Sequence, residues 1–174
     1  MAQSASLTAQ IELSANEINE KSEIEILVND SIIKKQEVAL AVGKNKFNIP
    51  FKIENPELWW PNGMGEQVLY NIEVKVISDS YIDRKSHQIG LRTVELVREP
   101  DAYGTSFYFK VNGHPVFMKG ANYIPQDAFL PRAKKSNYEH ILTSAKEANM
   151  NMLRVWGGGI YENIPRILKE NQKA

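Results

Sequence analysis

The segment Met152–Glu162 constrains the fold of this chain more than any other feature. It begins as a short apolar run, passes into Gly157–Gly159 and continues with apolar residues at helical spacing. A short apolar run with little alternation is typical of a buried parallel strand, and glycines at its carboxyl end allow a sharp turn that leaves room for a ligand. Arg154 and Trp156 lie two residues apart, so they face the same side of such a strand. The pattern predicts a guanidinium and an indole at a strand end, which suits a polar, ring-shaped ligand. The alternative interpretation is a buried tryptophan beside a salt-bridged arginine, which would have the same sequence pattern.

A similar pattern occurs upstream, where Phe117–Asp127 reads as an apolar strand that ends in small and polar residues. Between the two strands, residues 136–150 carry apolar side chains at three- and four-residue spacing, which predicts a helix. Ser136 is predicted as its N-cap, with Glu139 completing a capping box. A further helix is expected near Tyr161. The order is βαβα, which predicts a parallel sheet with right-handed crossovers.

The sequence before residue 107 has a different pattern. Segments such as Ile24–Val28 and Tyr70–Ile77 partly alternate apolar and polar residues, and short polar or glycine-containing turns separate them. This alternation predicts an antiparallel sandwich of about immunoglobulin size. Asn112-Gly113 predicts a hairpin that leads into the first parallel strand. We therefore expect a sandwich domain over residues 1–105 and a β/α domain over residues 106–174.

Four motifs follow one another along the chain, and they are specific together although each would be weak alone. They are Glu57–Tyr70, Ile89–Val94, Gly120–Pro125 and Arg154–Gly159. Together they resemble glycoside hydrolase family 2, in its β-mannosidase-like branch. The resemblance implies an immunoglobulin-like antiparallel β-sandwich followed by the first βαβα part of a truncated (β/α)8 TIM barrel. It also implies hydrolysis of terminal β-D-mannose residues with retention, without a metal or organic cofactor. The substrate would be an oligosaccharide or glycan that contains β-mannoside.

The length of 174 residues is short for this architecture. A (β/α) barrel needs eight units and roughly 250 residues, so we expect an internal fragment whose partners are neighbouring domains of the same polypeptide. Retaining glycosidases use two carboxylates about 5 Å apart. The resemblance implies that the acid/base glutamate follows an asparagine on a later strand, and the Asn-Glu pairs here lie near the N-terminus, at residues 16–17 and 19–20. No catalytic carboxylate is therefore assigned, and the isolated chain is expected to be inactive.

Four residues are predicted to contact substrate: Asn122, Asp127, Arg154 and Trp156. The amide of Asn122 can bridge a hydroxyl and a carboxylate, but it can also brace a loop. Asp127 can hold a sugar hydroxyl, although loop aspartates commonly bond nearby backbone. Burying the charge of Arg154 inside a barrel would be costly unless it is paired, and the expected partner is a catalytic carboxylate, or its neighbour, in the assembled enzyme. The resemblance implies that Trp156 lines the subsite of the terminal sugar; ordinary burial is the alternative.

Other prominent side chains are given structural roles. Trp59 and Trp60 could form a carbohydrate platform, but they lie between two prolines, and adjacent strand residues face opposite sides. One is therefore expected in the sandwich core and the other against a neighbouring domain. The three histidines have no metal-ligand spacing, so no metal site is predicted.

Composition excludes several classes of function. The chain has 21 basic and 21 acidic residues, which argues against a nucleic-acid binder, and it has no cysteine for disulfides or thiolate chemistry. No apolar run is long enough for a membrane span, and the first residues do not resemble a signal peptide. Localisation stays open among cytoplasm, periplasm and lysosome. Two alternatives remain for the function. One is another family 2 glycosidase, of β-glucosaminidase or β-galactosidase type. The other is a noncatalytic sandwich module that binds carbohydrate or protein.

Overall fold

A computed structural model of the chain describes residues 4–79, 81–129 and 132–156. These residues form mostly antiparallel strands together with one α-helix. They belong to two compact units, the first made of Met1–Glu57 and Val68–Leu91, the second of Leu58–Gln67 and the residues from Arg92 onward. In the sequence, the first compact unit ends at Leu91. The domain boundary after residue 105 stays a prediction.

The first unit is an antiparallel β-sandwich. Its strands are β1 (Ser4–Ala15), β2 (Asn19–Val28), β3 (Ser31–Leu40), β4 (Gly43–Glu54), β5 (Tyr70–Ile77) and β6 (Ile82–Ile89). One sheet pairs β1 with β4, and the other has the order β3-β2-β5-β6. Along β4 the alternation of the sequence determines which side chains face the core. Ile49, Phe51 and Ile53 are buried, while the residues between them are exposed. The predicted strands Ile24–Val28 and Tyr70–Ile77 are confirmed within these sheets.

The four-stranded sheet carries one buried carboxylate. Glu25 is 5% exposed, and Lys35 on the neighbouring strand pairs with it at 2.5 Å and with Glu23 at 3.0 Å. The hydrogen bond to Glu25, followed by the one to Glu23, raises the pKa of Lys35 above its usual value. Glu25 is thus buried together with its countercharge, which is how buried charges are ordinarily tolerated.

The second unit begins with short antiparallel strands. These are β7 (Val94–Val97), β8 (Pro100–Asp101), β9 (Gly104–Thr105), β10 (Tyr108–Val111) and β11 (His114–Val116). The predicted hairpin at Asn112-Gly113 is confirmed, and both residues have positive φ, at 51° and 78°. Such angles give the turn the twist that flanking strands require.

A parallel βαβ arrangement follows. Strand β12 (Gly120–Tyr123) pairs with β13 (Met152–Val155), and helix α1 (Lys135–Glu147) lies between them in sequence. The helix begins two residues earlier than predicted, with Lys134 rather than Ser136 at the N-cap. The cause is Asn137, whose Oδ1 accepts from the Lys134 backbone N–H at 3.1 Å and takes the part predicted for Glu139. The glycines after Trp156 and the helix predicted near Tyr161 lie outside the described residues.

The pairing of β12 with β13 depends on Gly120. A Cβ atom built at this position would collide with the backbone carbonyl oxygen of Met152. Only glycine lets the two backbones approach this closely. Asn151 adds a side-chain brace at the same end, because its Oδ1 accepts from Lys119 N at 2.8 Å and its Nδ2 donates to Phe117 O at 3.1 Å.

Residues 58–67, which include both adjacent tryptophans, belong to the second unit rather than to the sandwich. Asn112 Nδ2 donates to the Trp59 carbonyl at 3.1 Å, and the Arg92 guanidinium lies 4.6 Å from the Trp59 ring centroid. The Trp60 ring packs on His114 at 5.5 Å between centroids. The prediction that one indole fills the sandwich core is thereby corrected, since side-chain amides and a cation hold this segment in the second unit.

Asn62, in the same segment, holds the carboxyl end of α1. Its Nδ2 donates to the carbonyl oxygens of Lys146 at 3.2 Å and Met150 at 3.1 Å. The Lys146 carbonyl lies in the last turn of α1 and also accepts from Asn149 N at 2.9 Å, so Asn62 adds a second donor from outside the helix. Since β13 starts two residues after Met150, this contact also positions the strand.

Gly120→Ala is expected to weaken the β12–β13 pairing by about 1–3 kcal/mol, because the added methyl group forces the backbones apart. Hydrogen exchange at residues 120–123 and 152–155 should accelerate, while the sandwich amides keep their protection. Ala121→Ser, at the neighbouring exposed position, is the matched control. Unchanged exchange in the alanine variant would show that the close approach at Gly120 is not required.

Asn62→Asp is expected to destabilise α1 more than Asn62→Ala does. Alanine removes two hydrogen bonds worth about 0.5–1.5 kcal/mol each. Aspartate removes the same donor and adds a negative charge at a helix C-terminus, which costs a further ~0.3–1 kcal/mol. Exchange rates of the α1 amides give the order, with Asn48→Asp on exposed β4 as the charge control. An aspartate variant as stable as the parent would contradict the capping role.

Candidate functional site

Asn122 and Arg154 are neighbours at the carboxyl ends of the two parallel strands. The strand register pairs them directly, and the Arg154 Nη1 donates to Asn122 Oδ1 at 3.1 Å. Both side chains are exposed. A guanidinium has five N–H donors and a side-chain amide two, so the pair retains donors for hydroxyl oxygens of a ligand.

The expected partner of Arg154 in the assembled enzyme, a catalytic carboxylate or its neighbour, stays a prediction. Within this chain, Arg154 is exposed and bonded to an amide. An exposed guanidinium keeps its hydration and does not need a countercharge. Arg154 is therefore accessible to a polar ligand.

Trp156 extends the strand pairing by one residue beyond β13. Its backbone N–H donates to the carbonyl of Tyr123 at 2.9 Å, which fixes its position beside the Asn122–Arg154 pair. The residue is 45% exposed. An aromatic ring with an exposed face offers an apolar surface beside the polar pair.

Asp127 lies in the loop after β12 and is half-buried. Its Oδ1 accepts from the backbone N–H of Phe129 at 2.7 Å, which is the local turn contact typical of loop aspartates. In the same loop, Gln126 Nε2 donates to the Tyr123 hydroxyl at 3.5 Å. The described residues include no hydrogen bond or ion pair that joins Asp127 to Arg154, so Asp127 is placed near the strand ends but not within the pair.

Sequence reasoning missed the two residues that position this pair, Asn62 and Asn151. Their amides bond backbone groups 84 to 88 and 32 to 34 residues away respectively. A pattern of spacing within one segment cannot report partners so distant in sequence. The sequence indicated their role only through residue type and position. Asn151 directly precedes an apolar strand, and Asn62 lies in a Pro-Asn-Gly turn.

The described residues contain no group of three or more histidine, cysteine, aspartate or glutamate side chains that could hold a metal. Over the same residues, no helix is long and apolar enough to cross a membrane. At the strand ends, Arg154, Asn122 and Trp156 offer hydrogen-bond donors, an amide and an aromatic ring. Such groups can bind a polyhydroxyl ligand, while none of them supplies a carboxylate pair for glycosidic cleavage.

The known proteins that resemble this chain include several β-mannosidases. The sequence model of glycosyl hydrolases family 2 matches residues 2–92. A β-mannosidase of Bos taurus is 50% identical over 109 residues, which is 61% of this chain. β-Mannosidase B of Aspergillus clavatus is 33% identical over 163 residues, or 92% of this chain. The crystal structure of β-D-mannosidase from Dictyoglomus thermophilum superposes on 99% of this chain with a TM-score of 0.82 and 36% identity.

These relatives are much longer than the chain. It spans 12% of the cattle protein, 19% of the fungal protein and 22% of the bacterial chain. The resemblance of four motifs noted in the sequence is confirmed, because the family model covers the sandwich and the relatives extend over the parallel strands. The chain belongs to glycosyl hydrolase family 2.

Proposed function

We propose that this chain acts as part of a β-mannosidase-type retaining glycoside hydrolase that removes terminal β-D-mannose residues from a glycan. The observation that carries the proposal is the Asn122–Arg154 pair at the carboxyl ends of two parallel strands. Ligands of parallel β/α folds bind at that end of the strands. The similarity to proteins named β-mannosidase supports the choice of sugar.

The βαβ arrangement is proposed as the opening part of a (β/α)8 barrel, within a catalytic domain that begins near residue 106 and follows a sandwich domain over residues 1–105. Two parallel strands leave unpaired edges, which further strands of a barrel would cover. The other strands would then bring their own carboxyl ends to the same face as Asn122 and Arg154. Neighbouring domains of the same polypeptide are accordingly the proposed partners.

Each site residue has a proposed part in binding. Arg154 and Asn122 donate to hydroxyls of the terminal sugar as one hydrogen-bonded unit, and Trp156 presents its ring to the apolar face of that sugar. Asp127 shapes the loop beside them, with one oxygen held by Phe129 N. None of them is assigned as acid/base or nucleophile, since two carboxylates about 5 Å apart are needed for that chemistry.

A chimera provides the direct test. This chain would replace the matching 22% of the Dictyoglomus thermophilum enzyme, and turnover of aryl β-D-mannoside, β-D-galactoside and β-D-glucosaminide would be compared. We expect the mannoside to be preferred. A folded chimera that prefers one of the other two sugars would favour the corresponding family 2 activity instead. The 174-residue chain alone is the control and should show no turnover.

Trp156→Ala in this chimera is expected to lower kcat/KM by about 30-fold, or ~2 kcal/mol, because loss of the aromatic face removes both contact and positioning. The melting temperature should change little, since the residue is 45% exposed and its truncation leaves no enclosed cavity. Trp156→Phe is the matched control and should lose less activity. Normal kinetics with a strongly lowered melting temperature would show that Trp156 is only a packing residue.

A further inference from the structure

The sandwich unit contains a cavity that the proposed active site does not use. It has a volume of about 550 Å³ and lies where β1 ends and β6 begins. All its lining residues belong to the first compact unit, whereas Asn122, Arg154 and Trp156 belong to the second. Ligand pockets commonly measure about 300–1,000 Å³, so this cavity is large enough for a small ligand.

The lining of the cavity includes apolar residues and one aromatic residue. Ala15 and Leu40 line it and are buried, at 8% and 2% exposure. Tyr81 also lines it and is 45% exposed. A tyrosine presents an apolar ring and a polar hydroxyl, so one side chain can stack on a ligand and bond to it.

The polar residues of the cavity favour hydroxyl groups. Asn16, which carries an amide, and Glu17 and Asp83, which carry carboxylates, are among the lining residues, and the described part of the lining includes no lysine, arginine or histidine. Carboxylates accept from hydroxyls, and the amide both donates and accepts. An anionic ligand would meet two like charges without a countercharge, which disfavours phosphates and uronates.

Two of the polar side chains are already oriented by the backbone. Asn19, which also lines the cavity, accepts at Oδ1 from Lys21 N and from the Ser22 hydroxyl, each at 3.1 Å. Its oxygen is therefore engaged, and its Nδ2 donors remain for another partner. Asp83 Oδ1 accepts from Arg84 N at 2.8 Å, which fixes that carboxylate while its second oxygen can accept from a ligand. Side chains held in this way lose little entropy on binding.

We propose that this cavity binds one neutral hexopyranose unit of a glycan, with Tyr81 stacking on the sugar and Glu17 and Asp83 accepting from its hydroxyls. The site is separate from the Asn122–Arg154 pair and would hold a glycan chain on the sandwich rather than cleave it. The inference does not depend on the proposed hydrolase activity. It gives the sandwich a binding function of its own.

The test uses the 174-residue chain and nuclear magnetic resonance. Methyl β-D-mannoside should produce saturable shifts at the amides of residues 15–19 and 81–83. Glucosamine and glucuronate serve as cationic and anionic probes, and glucuronate should produce none. Tyr81→Ala should weaken binding about tenfold, while Tyr81→Phe, which keeps the ring, should retain most of it.

Two further variants separate this site from the other one. Asp83→Asn preserves the bond to Arg84 N and should weaken binding several-fold, whereas Arg154→Ala should leave the shifts at residues 15–19 and 81–83 unchanged. The proposal is overturned if the folded chain shows no saturable shifts there, if Tyr81→Ala binds as the parent does, or if only glucosamine binds. The last result would identify a cation site instead.

Discussion

The close approach of strands β12 and β13 at Gly120 is the constraint on which the proposed sugar site depends. A methyl group at that position would collide with the Met152 carbonyl, so glycine there allows the two strands to pair at this distance. The same register places Asn122 opposite Arg154 two residues later, and the Trp156 backbone then bonds to Tyr123. A single backbone contact thus determines which side chains meet at the strand ends.

Side-chain amides support this arrangement from outside the strands. Asn62 satisfies carbonyls at the end of α1, Asn112 bonds the Trp59 carbonyl, and Asn151 bridges the residues that precede β12. The segment with the two tryptophans therefore serves as a brace within the second unit rather than as a carbohydrate platform. Buried or half-buried amides are effective in this role because each carries both donors and an acceptor.

The sequence was sufficient for features whose signals are local. Alternation predicted the sandwich strands, Asn112-Gly113 predicted the hairpin, and helical spacing predicted α1 to within a few residues. Features determined by distant contacts could not be predicted, such as the membership of residues 58–67 in the second unit and the role of Asn62. The helix start was misplaced because Ser136 and Glu139 matched a capping box, while Lys134 and Asn137 form the capping pair two residues earlier. Of the four site residues, sequence spacing alone related Arg154 to Trp156, and only the strand register showed that Asn122 bonds to Arg154.

A double-mutant cycle between Asn122 and Arg154 tests the central claim most directly. Asn122→Ala, Arg154→Ala and the double variant would be compared by kcat/KM for an aryl β-D-mannoside in the chimeric enzyme. If the two side chains bind the sugar as one unit, either single change should remove most of the effect of the double change, with a coupling of about 1 kcal/mol or more. Additive losses, or variants with unaltered kcat/KM, would contradict the account.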